Sequence, residues 1–263
     1  MKHWLTAFAC ALVQIPFGVA AIAQQGERVF ASDAPAVTYG RYVRLEAGGA
    51  ISATDSGDWL PPGQSDPQVF FDLDGEDRAM GSAAVGFDWM NGWRGEVALS
   101  HFASEDVAGD WSRTEPPTPG PHASVDTAVA STAIMGNVYY LPLQASGRNG
   151  KFQPFLTAGL GLSMNHMDDW TRTNPDATQE VREFEGRTNP SLAWSVGAGA
   201  SWQVTPTGSR PVLLEASYRY YDLGSAQGGA TPLEGSGTSE PRQPLTVDTN
   251  AHVLAIGVRI PLR

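Results

Sequence analysis

The charged side chains that could do chemistry in this chain recur at even spacing on segments that are otherwise apolar. Residues two or four apart in an extended strand point to the same face, so neighbouring charges of opposite sign can pair there. The set is Arg44, Glu46, Arg94, Glu96, Glu215, Arg219 and Arg259. Enclosed charges are tolerated only when they are paired and hydrogen-bonded. We predict that these seven residues form a charge network in a narrow interior, the alternative being solvated charges on a soluble sheet.

Histidines are the next candidates, because a hydrolase needs a nucleophile and a base within hydrogen-bond reach. His101 follows Ser100, but its parity with Leu99 places it on the apolar face, away from that hydroxyl. His122, His166 and His252 fall in predicted loops or alone at a strand start. The sequence therefore predicts no catalytic residues.

Two further motifs suggest a ligand without specifying one. "DLDGED" places Asp72, Asp74, Glu76 and Asp77 close together, but it lacks the distal Glu and flanking helices of an EF-hand. A solvated acidic loop is the prediction, with a loosely held divalent cation as the alternative. "AGLGLS" and "GAGAS" do not open a helix after a strand, so they predict close packing rather than a nucleotide site. No metal or cofactor is expected.

Alternation of apolar and polar residues identifies the elements that carry these side chains. In "FQPFLTAGLGLSMN" every even-numbered residue is apolar, and the odd-numbered ones are mostly polar or small, which is the period of a strand. The pattern recurs in "SLAWSVGAGASWQV", "RPVLLEASYRYYDLG" and "AHVLAIGVRIPL". It is less regular in "GRYVRLEAGGAIS", "AMGSAAVGFDWM", "WRGEVALSHF" and "TAVASTAIMGNVYYLPL". Eight strands are predicted.

The connections between these strands alternate between short and long. Asn91-Gly92 predicts a type I′ hairpin with positive φ at both residues, and "QASGRNGK" and "TPTGSR" are also short. Segments such as "DSGDWLPPGQSDPQVFFDLDGEDR" and "EDVAGDWSRTEPPTPGPHAS" are long and rich in Pro, Gly and Asp. Four such segments, predicted as loops, are unusual in a compact domain but typical of membrane barrels, which have short turns at one end and long loops at the other.

The N-terminal residues predict export. Lys2, an apolar stretch and Ala21-Ile22-Ala23 indicate a signal peptide at 1–23, followed by an N-terminal segment at 24–38 and the β domain at 39–263. Cys10, the single cysteine, lies in the signal peptide. The mature chain is therefore predicted to lack disulfides and thiolate chemistry.

The composition disfavours some classes of binding partner. The formal net charge is −11, which disfavours nucleic-acid binding because that function needs a basic surface. Beyond the signal segment the sequence has no apolar run long enough for a membrane helix. A soluble β-barrel ligand carrier and a transmembrane β-barrel both remain compatible with the composition.

Aromatic residues favour the membrane barrel. They fall toward strand ends on the apolar face, as interfacial girdles require. The six are Trp89, Trp93, Tyr140, Trp194, Trp202 and Tyr220. Between the predicted inward charges lie many Gly, Ala and Ser residues, which suit the narrow interior of an eight-stranded barrel.

The sequence resembles the outer-membrane β-barrel family of OmpA-like and opacity-type surface proteins. "FQPFLTAGLGLSMN", "LAWSVGAGASWQV" and "LLEASYRYYDLGS" are similar, in order and spacing, to the fifth, sixth and seventh strands of that family. The last strand departs from the pattern, because it ends Ile260-Pro261-Leu262-Arg263 rather than on an aromatic residue. The resemblance implies an all-β, eight-stranded, antiparallel up-and-down transmembrane barrel with four long extracellular loops and short periplasmic turns.

The resemblance further implies location in the bacterial outer membrane and a non-enzymatic structural or surface-interaction role. The expected partners are outer-membrane lipid and lipopolysaccharide, the barrel assembly machinery, and a host or cell-surface ligand of the loops. A small or gated porin and a lipid-modifying enzyme are the alternatives.

Overall fold

The computed structural model describes residues 40–119, 122–174, 181–205 and 211–262. The predicted signal peptide, the N-terminal segment 24–38 and Cys10 lie outside these residues. Most of the described chain lies in β-strands. The elements are β1 (Arg41–Ser52), β2 (Ser56–Leu60), β3 (Gln68–Gly75), β4 (Arg78–Asp88), β5 (Trp93–Glu115), β6 (Ser124–Tyr140), α1 (Pro142–Ala145), β7 (Phe152–Met167), β8 (Trp170–Thr173), β9 (Val181–Phe184), β10 (Arg187–Gln203), β11 (Leu213–Gln227) and β12 (Gln243–Pro261).

Eight of these strands close into a barrel. In the order β1, β4, β5, β6, β7, β10, β11, β12, each strand pairs antiparallel with the next. The circle closes because β1 also pairs antiparallel with β12, with Arg44 opposite Arg259. The predicted eight-stranded up-and-down topology is therefore confirmed, and these eight strands leave no sheet edge unpaired along the barrel wall.

Burial alternates along every barrel strand, which follows from the two-residue period of side-chain direction. Inward residues are buried, whereas the outward face carries large apolar side chains. The most exposed of these are Ile256, Leu192, Leu45, Leu160, Leu162, Val85, Ile134 and Leu156. Water would not stabilise such a surface, so it is suited to contact with lipid. Within the described residues, no helix is long and apolar enough to cross a membrane.

Glycines in the barrel wall allow close backbone approach rather than ligand binding. A Cβ placed on Gly161 would collide with the main-chain carbonyl oxygen of Ile134 on the neighbouring strand. The Gly-x-Gly run of β7 is thus explained by strand packing, as the sequence predicted.

The long segments predicted as loops contain further strands, and this is a correction. β5 continues to Glu115, β2 and β3 form a hairpin that pairs with β12 and β5, and β8 and β9 form a hairpin that pairs with β6. We call this part, made of residues 56–75, 103–119, 122–129, 167–174, 181–184 and 226–250, the cap.

The cap has an apolar core of its own. Thirteen buried residues form it, with Trp111 packed against them: Trp59, Val69, Phe71, Leu73, Val107, Val125, Val129, Met167, Trp170, Phe184, Ala226, Leu245 and Val247. Trp170 and Phe184 stack with ring centroids 4.1 Å apart. The cap is therefore a folded continuation of the barrel rather than a set of solvated loops.

Two of the short connections also differ from the prediction. Between β4 and β5 the turn is Met90–Gly92, closed by Trp89 N–H donating to the Trp93 carbonyl at 3.1 Å. Positive φ occurs at Met90 (62°) and Gly92 (93°) rather than at Asn91 and Gly92, so the two-residue type I′ turn is wrong. The connection after β6 contains α1, whose first residue is Pro142, a position where a missing N–H costs little.

We expect Ile256→Arg to weaken folding into lipid. Ile256 is 71% exposed on the outer face of β12, between the outward residues His252 and Leu262. A charge there must be desolvated, so the free energy of unfolding should fall by about 2–4 kcal/mol, measured by urea titration in lipid vesicles. The control is Val181→Arg, the same kind of change on the exposed surface of the cap, expected to stay within about 0.5 kcal/mol. Equal effects of the two substitutions would contradict the membrane assignment of the apolar surface.

Candidate functional site

A closed antiparallel barrel of eight strands with an apolar outer surface has the architecture of an outer-membrane β-barrel, and this fixes which end is which. Such barrels have short turns on the periplasmic side and longer connections outside the cell. The turn Met90–Gly92 and α1 therefore mark the periplasmic end, and the cap lies at the extracellular end.

The structure places all seven predicted charged residues inside the barrel. Each is less than a tenth exposed, and Arg94 is fully buried. They lie toward the periplasmic ends of their strands: Arg94 is the second residue of β5, and Arg259 is two residues from the end of β12. The inward parity read from the sequence brings them together because all the barrel strands face one narrow lumen.

The first group of charges surrounds Glu96. Arg44 donates to both of its carboxylate oxygens, with Nη2 to Oε1 at 2.6 Å and Nε to Oε2 at 3.1 Å. Arg44 also forms an ion pair with Glu46, and Arg219 donates to Glu46 Oε2 at 3.2 Å. Bidentate pairs of this kind fix side-chain geometry as well as charge.

The second group surrounds Glu215. Arg94 Nη1 donates to its Oε1 at 2.6 Å, and Arg259 Nε donates to the same oxygen at 2.8 Å. Asp88 completes the group, with Oδ2 3.8 Å from Arg259 Nη1. Sequence reasoning missed Asp88 as a member, although its inward parity on β4 was the available signal. Four arginines then face four carboxylates, so these eight side chains are neutral as a set.

Two tyrosines connect the groups, and they too were missed. Tyr139 Oη donates to Glu96 Oε1 at 2.6 Å and accepts from Arg219 Nη2 at 3.2 Å. Arg94 lies over the Tyr139 ring, 3.9 Å from its centroid. Tyr42 Oη donates to Glu96 Oε2 at 3.0 Å. Both phenols occupy inward positions, as the period-two pattern indicated. That pattern could not identify the partners of the two phenols.

Apolar side chains fill the lumen on both sides of the charges. Toward the periplasm lie Tyr139, Leu141 and Phe155. Toward the cap lies a second cluster, consisting of Ala50, Met80, Phe102, Ala133, Met135, Ala193, Tyr221, Leu223, Ala251, Val253 and Ala255. A cavity at the periplasmic mouth, beside Asp88 and Gln144, has a volume of about 20 Å³, room for roughly one water. The barrel is thus a filled cylinder.

The predicted interface aromatics lie on the outer surface in two sets. Trp89, Trp93, Tyr140 and Trp202 are exposed at the periplasmic ends of their strands. Trp194 and Tyr220 lie further toward the cap and contact each other at a centroid distance of 5.5 Å. Trp194 and Trp202 are eight residues apart on β10, roughly 26 Å along the strand and roughly 20 Å along the axis of a barrel with tilted strands, so the two sets lie at different depths of the apolar band.

His166, which the sequence did not place in a strand, lies between a hydroxyl and a carboxylate. It lies in β7, with Nδ1 2.8 Å from Thr188 Oγ1 and Nε2 3.0 Å from Asp168 Oδ1. Such a chain can activate a hydroxyl when a substrate is positioned beside it. However, His166 and Asp168 are more than half exposed.

Outward histidines bond hydroxyls elsewhere on the barrel. His101 lies 2.9 Å from Thr132, and His252 lies 2.7 Å from Tyr218 Oη. The repetition around the barrel indicates a ring of polar pairs above the apolar surface.

The residues of the acidic motif in the first long segment are spread over β3 and the residues that follow it. Asp72 and Asp74 are exposed on the strand β3 rather than in a loop, and Asp77 accepts a hydrogen bond from the Ser52 N–H. Among the residues that the structure describes, no group of three or more His, Cys, Asp or Glu side chains is arranged to hold a metal ion.

Comparisons with known proteins find likeness in structure only. No family model matches the sequence, and no curated protein matches it. Among solved structures, Neisserial surface protein A is 16% identical with a TM-score of 0.46, covering 85% of this chain and 97% of its own. The outer membrane protein OprG from Pseudomonas aeruginosa is 13% identical with a TM-score of 0.45, over the same shares of the two chains. Because the identities and TM-scores are this low, the fold assignment rests on the strand pairing of this chain.

We expect Glu215→Gln to destabilise the barrel strongly. The change leaves Arg94 and Arg259 facing a neutral amide, and breaking a buried pair from one side costs about 3–5 kcal/mol. The measurement is the free energy of unfolding in lipid vesicles, from urea titration followed by tryptophan fluorescence. Glu240→Gln, an exposed change of the same type, serves as the control. A loss no larger than that of the control would show that the network does not hold the lumen together.

Proposed function

We propose that this protein acts through its cap, which the barrel anchors rigidly in the outer membrane and presents to the cell exterior, and that it is not an enzyme. One observation carries the proposal: the same strands that cross the membrane continue into a folded cap with its own apolar core. A solvated loop needs no core of this size, whereas a binding surface benefits from a rigid support.

The filled lumen supports a binding role over a porin role. Neutral charge groups and two apolar clusters occupy the barrel interior, and an open aqueous channel needs a barrel of about sixteen strands. The outer surface supports contact with lipid and lipopolysaccharide as the partners of the barrel itself. The partner of the cap is a molecule outside the cell.

Hydrolysis is the weaker alternative. The His166–Asp168–Thr188 chain is open to solvent, and a similar His–Thr pair occurs at His101, where only the hydroxyl partner is described. The repetition supports a role for these pairs at the membrane edge rather than a catalytic role.

The purified protein should form no channel in planar lipid bilayers. Because the lumen is filled, we expect no steady unitary current steps at any applied voltage that the bilayer tolerates. A sixteen-stranded porin measured in the same bilayers provides the positive control. Reproducible steps of constant size would overturn the closed-lumen part of the proposal and favour the porin.

Cysteine labelling on intact cells tests the orientation of the cap. Glu240→Cys lies in an exposed part of the cap, and Asn91→Cys lies at the opposite end of the barrel. The mature chain contains no other cysteine if the signal peptide is removed as predicted. A membrane-impermeant maleimide should label the first variant on whole cells, and the second only after the outer membrane is opened. The reverse pattern would contradict the proposal.

A further inference from the structure

A cleft in the cap combines an open cavity with an unusual pair of cations. Its volume is about 420 Å³, within the range of small-molecule sites. Pro61, Pro62 and Pro67 give it apolar walls, and Thr118 and His122 contribute polar groups. Arg172 and Arg182 also line it.

The two arginines are directly opposite each other. Arg172 of β8 and Arg182 of β9 are cross-strand partners in the antiparallel hairpin, so their side chains share one face. Like charges in this position destabilise a sheet. The hairpin keeps both, which indicates that an anion between them would relieve the repulsion.

Arg172 is held in place and is not fully hydrogen-bonded. Its guanidinium lies 4.4 Å from the ring centroid of Trp59, a cation–π contact that restricts its orientation. Arg172 Nε and Trp59 Nε1 are both buried without a hydrogen-bond partner in the structure. Buried donors of this kind are uncommon in folded proteins, and an oxyanion is the ligand that such donors prefer.

The groups around the cleft neutralise the positive charge of the two arginines only in part. Burial and the neighbouring Arg182 lower the pKa of Arg172 to about 10, with Asp66 acting in the opposite direction. Arg172 therefore remains cationic at neutral pH. Asp66 is itself held by the N–H of Gly63, which donates to its Oδ2 at 2.9 Å. Arg182 Nη1 donates to the Ser236 carbonyl at 3.5 Å, a long hydrogen bond.

We propose that this cleft binds a small acidic ligand, whose carboxylate, sulfate or phosphate group lies between Arg172 and Arg182 while its body contacts the proline-lined wall. The volume suits a body the size of a simple sugar. The cleft thus brings two cations together in a chain whose net charge is −11. The inference rests on the proposed function, since the cleft must open to the cell exterior.

The test is an NMR titration of the refolded protein in detergent micelles at constant ionic strength. The probes are sodium sulfate, sodium glucuronate and glucose, and the readout is the indole N–H signal of Trp59, assigned with Trp59→Phe. We expect sulfate and glucuronate to shift this signal saturably and to compete with each other, and glucose to leave it unchanged. Absence of a saturable shift with either anion, or an equal response to glucose, would overturn the proposal.

Variants separate the site from general charge effects. Arg182→Gln should weaken glucuronate binding about tenfold, since it removes a charge-assisted contact. Arg187→Gln is the control, because Arg187 is also a cap-side arginine but bonds Gln227 instead. The affinity of this control variant for glucuronate should stay within about twofold of that of the unchanged protein. Arg182→Lys keeps the charge without the planar fork and should give an intermediate loss. Equal affinities of Arg182→Gln and Arg187→Gln for glucuronate would overturn the proposed site.

The outcomes distinguish this inference from the proposed function. Surface labelling of Glu240→Cys without anion binding would overturn the cleft alone. Anion binding by the purified protein without surface labelling would overturn the outward presentation of the cap. The folding of each variant is checked first by gel electrophoresis, because a folded barrel migrates differently before and after boiling.

Discussion

Closure of the sheet between β1 and β12 is the constraint on which the rest of the structure depends. A strand in hydrocarbon cannot hydrogen-bond to water, so every backbone group must pair within the barrel, and a closed ring leaves no edge. Closure also gives each strand one face toward lipid and one toward a narrow lumen. The outward Leu, Ile and Val residues and the inward Arg and Glu residues are both consequences of that single geometry.

The lumen then has to accommodate charge in a narrow space. Four arginines and four carboxylates do so by pairing across strands that are distant in sequence, such as Arg94 with Glu215. Tyr139 joins the two groups, because its hydroxyl bonds Glu96 and its ring contacts Arg94. A buried ion pair is not by itself a strong stabiliser, but losing one partner is costly. The network therefore fixes the relative position of the strands and, together with the apolar clusters on either side, fills the lumen.

Above the membrane the same strands carry their large apolar residues on the inner face instead of the outer face. On β12, Ile256 faces outward while Arg259 faces inward, whereas in the cap Leu245 and Val247 face inward and Asp248 is exposed. The solvent outside the wall changes from lipid to water, so the apolar side must change from outer to inner. This reversal gives the cap a core of its own. It also gives the cap the rigidity needed to hold Arg172 and Arg182 opposite each other.

The alternation of residues alone determined the eight strands, the direction of their faces and the inward position of the seven charged residues, because side-chain direction in a strand is a local property with a period of two. The sequence could not show the strands of the cap, since the apolar parity switches where each strand leaves the membrane, as between Val247 and Ile256. It also could not identify partners such as Asp88 and Arg259 or His166 and Thr188. Those pairs depend on register and closure, which bring distant segments together only when the whole sheet has formed.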